Sequence, residues 1–101
     1  INQDSTTMIL VIVDCRRPGY SEGVTLPELA AIHMQHGSYN AINLDGGGST
    51  TLVSQGFGIM NHPTDPPANA DPNTLNNYGV SNDVNAYTER TVANHLGIYV
   101  S

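Results

Sequence analysis

Six apolar residues run together at Met8–Val13, Met-Ile-Leu-Val-Ile-Val, and four of them are β-branched. An unbroken run of that length predicts a strand covered on both faces, because a half-exposed strand would alternate apolar with polar. Pro18-Gly19, a few residues on, marks a turn or loop. The strand is therefore expected to end near Asp14.

The clearest helix signal is Thr-Leu-Pro-Glu-Leu-Ala-Ala-Ile-His-Met-Gln-His-Gly, beginning at Thr25. Thr25 as N-cap with Glu28 three residues later makes a capping box, which satisfies two orphan backbone donors. Pro27 falls in the first turn, where its missing N–H costs nothing. Gly37 stands where a left-handed residue closes a helix. These signals predict one main helix over about residues 25–36. Tyr39–Leu44 reads as a second strand, Thr50–Gly56 as a third, and Phe57–His62 as a fourth after a turn at Gly56. Residues 63–88, rich in Asn, Asp and Pro, read as a long irregular surface loop, and the chain from Val92 reads as a last strand. A strand, a helix and then several strands predict an α+β domain with a mixed sheet.

The chain has 101 residues and a formal net charge of −6, with its three cations all arginine. That balance argues against nucleic acid or an anionic membrane surface as the main partner, since both need a basic footprint. A small phosphorylated ligand is not excluded, because one Arg and a few backbone N–H groups can hold it. The single Cys15 cannot form a disulfide within the chain and reads as a small buried hydrophobe. No apolar run reaches membrane-spanning length. His33 and His36 are three apart on one helix but have no carboxylate beside them in a ligand pattern, so no metal site and no cofactor is expected. His62 and His95 read as isolated surface or satisfied residues.

Three stretches could carry chemistry. Asp45-Gly46-Gly47-Gly48-Ser49-Thr50 follows an apolar run, and three consecutive glycines are entropically costly unless the backbone must turn unusually or let a ligand approach its amides. A strand-end carboxylate, bare amides and hydroxyls suit a polar ligand, and a bulged hairpin turn accounts for the same residues. No Lys follows as in a phosphate-cradling P-loop. The second stretch holds Arg16, Arg17 and Glu22 in the loop after the first strand, either site residues or ordinary solvated charges. The third holds Glu89, Arg90 and Asn94 beside the last strand, where Asn94 is either a paired structural amide or a ligand contact.

Taken together, GVTLPELAAI, GSYNAINLDGGGSTTLV, NHPTD and ERTVANHLGIYV resemble the phosphodiester glycosidase domain, found in the enzyme that uncovers mannose 6-phosphate and in many bacterial proteins. The likeness runs from about Met8 to the C-terminus, interrupted over residues 66–87. By resemblance, Asp45, Gly46, Gly47, Gly48 and Ser49 match the family's central segment, and Glu22 and Thr25 fall in a shared bacterial one. Asp65 matches an acidic position, and Arg90 and Asn94 match the segment before the last strand. The family commonly has Asp-Gly-Arg where this chain has Asp14-Cys15-Arg16, a change that either narrows the site or repacks beneath it. The family domain is also longer. The resemblance thus implies that these residues form its C-terminal portion, with an N-terminal half as the partner that completes the site.

The implied function is hydrolysis of a sugar 1-phosphodiester of the N-acetylglucosamine type, with Asp45 and Glu22 as the catalytic carboxylates. Gly46, Gly47, Gly48, Ser49, Thr25, Asp65, Arg90 and Asn94 would contact the substrate. The competing reading is a catalytically silent carbohydrate-binding or structural module in a surface or extracellular assembly. A secretory or extracytoplasmic setting is implied by the resemblance alone.

Overall fold

The computed structural model describes residues 1–64, 71–77, 89 and 91–100. Its elements are the helix α1 (Leu26–Gln35) and two strands, β1 (Val53–Ser54) and β2 (Gly58–Ile59), with a short 3-10 turn at Pro72–Thr74. The chain is α+β, and the sheet among these residues is two-stranded and antiparallel.

Helix α1 begins and ends where its sequence dictates, with the Thr25 half of the expected capping box formed. Thr25 is the N-cap, and its Oγ1 accepts from the Glu28 N–H at 3.3 Å. At the other end Gly37 takes φ +87°. The Gly37 N–H then reaches Met34 O at 3.1 Å, and the Ser38 N–H reaches His33 O at 2.9 Å. Those two bonds are the paired 5→2 and 6→1 contacts of a Schellman ending. His33 Nδ1 also meets Ser38 Oγ at 2.9 Å, tying the ring to the helix exit. That contact gives His33 a structural role in the C-cap.

The hairpin is short but extended by other bonds. Gly56 supplies φ +86° in the turn, and the Phe57 N–H closes it on Ser54 O at 3.1 Å. Val53 pairs with Ile59 and Ser54 with Gly58. Beyond the strands, the Met60 N–H donates to Leu52 O at 2.8 Å. The Asn61 side chain then takes over: its Oδ1 accepts from the Leu52 N–H and its Nδ2 donates to Thr50 O, both at 2.8 Å. The Thr64 N–H reaches Gly48 O at 2.7 Å. Residues 48–54 and 58–64 are thus zipped along their length, partly by ladder and partly by an asparagine standing in for backbone.

The other expected strands form no ladder among the described residues. Met8–Val13 is not covered on both faces: Met8 and Leu10 are more than half exposed. Tyr39–Leu44 and the segment after Val92 are likewise exposed, with Ile42 82% and Tyr99 98% accessible. The physical reason is that an apolar run only sets a preference for a buried strand, while a neighbouring edge and a covering layer realise it. Here the radius of gyration is 15.3 Å, against about 13 Å for a close-packed chain of this length.

Within 63–88, Pro63 and Thr64 are buried. At 71–77, Asp71 caps the 3-10 turn by accepting from the Asn73 N–H at 3.0 Å.

Candidate functional site

The buried polar residues gather where residues 14–21 meet the glycine turn and residues 61–64. The loop after Asp14 is fastened on itself: Arg17 and Ser21 form an antiparallel bridge with both N–H···O distances at 2.9 Å. Ser21 Oγ donates to Asp14 O at 2.5 Å. Arg16 enters this loop at φ +63°, a left-handed conformation costly for an arginine, and its carbonyl accepts from Asn76 Nδ2 at 2.8 Å. Of the two arginines read as possible solvated charges, Arg16 is exposed but Arg17 is only 1% accessible. The fold thus withdraws the Arg17 side chain from water.

Asp14 is the hub. Its Oδ1 accepts from Asn61 Nδ2 at 3.1 Å and from the His62 N–H at 3.0 Å. Its Oδ2 accepts from the Tyr20 hydroxyl at 3.1 Å and shares the His62 N–H at 3.2 Å. The carboxylate is 12% exposed and 3.5 Å from His62 Nδ1. An anion this far from water needs such donors around it, because an unpaired buried charge is strongly penalised.

Tyr20 links the hub to His62. Its hydroxyl oxygen lies 3.0 Å from His62 Nδ1, and the rings meet edge-to-face with centroids 5.7 Å apart. A phenol has one proton to donate. With that proton on Asp14, the Tyr20 oxygen accepts from His62, which assigns the imidazole proton to Nδ1. Partial burial of the ring pushes the Tyr20 phenol above its ordinary pKa, as do its hydrogen bond to Asp14 and that carboxylate's charge; Arg17 pulls the other way.

The glycine turn forms the facing wall. Gly47 has φ +116°, and the Thr50 N–H closes the turn on Gly47 O at 3.2 Å. A Cβ placed on Gly47 would lie 3.6 Å from a terminal guanidinium nitrogen of Arg16. The turn therefore runs directly against a cation. Asp45 is exposed, and its Oδ1 accepts from the Gly46 N–H at 2.9 Å. Between the turn and residues 61–64 lies a small pocket, open on one side, lined by Asp14, Gly47, Gly48, Asn61, His62 and Thr64 among others. It has room for about one water molecule. Cys15 borders it too, with its Cβ 3.0 Å from where a Cβ on Gly23 would stand. A side chain at residue 23 would press on the Cys15 Cβ, and glycine leaves that space open.

Of the residues singled out by sequence, Gly47 and Gly48 line this pocket. Ser49 sits beside it, and its carbonyl accepts from Thr51 Oγ1 at 3.0 Å. Glu22, Thr25, Asp45 and Asn94 are exposed and do not line it; Thr25 is engaged as the helix cap. Asp65 and Arg90 lie outside the described residues. Sequence reasoning passed over Asp14, Tyr20, Asn61 and His62. One signal was present: a carboxylate directly after an apolar run, the same pattern that drew attention to Asp45. Nothing in the sequence shows that His62 returns to Asp14, 48 residues earlier. Among the described residues no cluster of three or more His, Cys, Asp or Glu is placed to hold a metal ion, and no helix is long and apolar enough to cross a membrane.

A family model described as phosphodiester glycosidase matches residues 1–99. No curated protein and no solved structure matches the chain.

Proposed function

The chain belongs to the phosphodiester glycosidase family, and on that premise we propose that it hydrolyses a sugar 1-phosphodiester of the N-acetylglucosamine type and releases the sugar. The observation that carries this reading is the glycine turn running against Arg16. It brings glycine backbone without a side chain beside a guanidinium, a combination suited to a phosphodiester oxygen. A phosphate leaving group needs little protonation. The remaining work is to stabilise an oxocarbenium-like centre at the anomeric carbon and the departing anion.

In this reading Gly47, Gly48, Ser49 and Arg16 hold the phosphate. The Gly46 amide, already engaged with Asp45, orients that carboxylate toward the substrate. Asp45 acts as nucleophile or base and Glu22 is the second carboxylate. Thr25, Asp65, Arg90 and Asn94 contribute further contacts on the family resemblance, and an extracytoplasmic setting goes with the same resemblance. A silent carbohydrate-binding module is the second reading, favoured by one observation: both carboxylates are exposed and neither lines the pocket.

Sugar release from an N-acetylglucosamine 1-phosphodiester separates the two. The wild-type chain is expected to release sugar, and Asp45→Asn to abolish release at unchanged melting temperature. Binding without release by the wild type favours the module, and full activity in Asp45→Asn removes Asp45 from the mechanism.

A further inference from the structure

Thr64 stands out in the pocket wall. It is 2% exposed, and its Oγ1 is buried with no hydrogen-bond partner among the described residues. Its backbone N–H is bonded to Gly48 O at 2.7 Å, which ties the residue to the glycine turn. Buried hydroxyls are nearly always satisfied, and one left over on a residue that lines a polar pocket points to a partner from outside the chain.

The pocket restricts what that partner is. Its size admits one oxygen atom and its hydrogens. Asp14 gives it a negative wall, which opposes an anionic phosphate oxygen. Both Asp14 oxygens already accept hydrogen bonds from Asn61, Tyr20 and His62, so Asp14 sets the sign of the field rather than gripping the occupant. A neutral hydroxyl meets all three conditions.

We propose that this pocket is the sugar-side subsite: Thr64 Oγ1 hydrogen-bonds one hydroxyl of the saccharide, whose place a water takes in the free protein. The proposal rests on the glycosidase reading and divides the substrate between two neighbouring environments. Gly47 and Gly48 belong to both: each lines the pocket, and the Arg16 guanidinium lies against Gly47. The charged half of the substrate goes to Arg16. One neutral hydroxyl of the other half goes to Thr64. Displacing an ordered water by a group that reproduces its hydrogen bonds retains affinity, while an analogue lacking that group loses it.

The test uses the full chain with an N-acetylglucosamine 1-phosphodiester, its monodeoxy analogues and free monosaccharides. Binding is followed by amide shifts and sugar release by chromatography. Thr64→Val keeps the shape and removes the hydroxyl, so its melting temperature is expected to stay level or rise. Its Kd for the parent diester is expected to weaken about tenfold, and Thr64→Ser to restore it. One monodeoxy analogue should be weaker on the wild type by a similar factor and indifferent to Thr64→Val. Equal binding by wild type and Thr64→Val, or the same loss on every analogue, overturns the subsite and leaves a structural water only. Thr64-dependent saccharide binding without release retains the subsite and sinks the glycosidase reading. No saccharide binding at all sinks both.

Discussion

Two regions of this protein use opposite means of holding shape. Around Asp14, side chains from residues 14–21 and 61–62 hydrogen-bond to one another across more than forty positions of sequence. In the apolar segments at Met8–Val13, Tyr39–Leu44 and after Val92, large side chains such as Ile42, Leu44 and Leu96 are well exposed. Large apolar side chains thus stay open to water, while the fully buried side chains include the polar Arg17 and Thr64. Burial follows from having a complementary neighbour, not from hydropathy alone. A polar group with its donors matched makes a fixed joint, whereas an apolar strand without a paired edge has nothing to fix it.

The largest expected effect breaks the first region. Asp14→Ala removes the acceptor shared by Asn61, Tyr20 and the His62 N–H, and is expected to cost about 3 kcal/mol, because several half-buried donors are left unmatched. Thermal unfolding with hydrogen exchange at the His62 amide checks this. A loss under about 1 kcal/mol would show the polar joint to be incidental.

A smaller effect appears with pH. The Tyr20 phenol sits above its ordinary value of 10.0 when folded, through partial burial, its bond to Asp14 and the charge of Asp14, against Arg17. The folded chain then keeps a proton that the unfolded chain gives up above that value. The associated stability is whole below pH 10, and it is lost as pH rises through the folded-state pKa. Wild type is therefore expected to lose stability more steeply above pH 10 than Tyr20→Phe does. Melting curves at stepped alkaline pH decide it, and identical slopes would place the phenol in open solvent.

The smallest effect sharpens the second region. Ile42 is 82% exposed, so Ile42→Thr is expected to change stability by less than about 0.5 kcal/mol. A loss above about 2 kcal/mol would mean that this side chain is buried in solution, and the contrast between the two regions would collapse.

Legibility in the sequence follows the same division. Helix α1 and its caps were readable because capping is local: Thr25, Glu28, Pro27 and Gly37 act within a turn or two of one another. The hairpin turn at Gly56 was readable for the same reason. The apolar strands were over-read, since pairing depends on a neighbour that a run such as Met8–Val13 does not encode. At the site, the glycine turn was visible because glycine triplets have few local excuses, while the Asp14–Tyr20–His62 joint was not. Tyr20 and His62 carry no signal in their own windows, Asp14 offers only its place after an apolar run, and distant closure alone gives the three a shared role.

The zipper between residues 48–54 and 58–64 also has a consequence in time. Its bonds span few residues, and such hairpins close in about microseconds. The joint to Asp14 brings together Asp14 and Asn61, 47 positions apart, a closure that is entropically slower to form. The wall carrying Asn61 and Thr64 is thus expected to stand before Asp14 arrives. The last event in building this pocket would then be the docking of a carboxylate onto donors already arrayed to receive it.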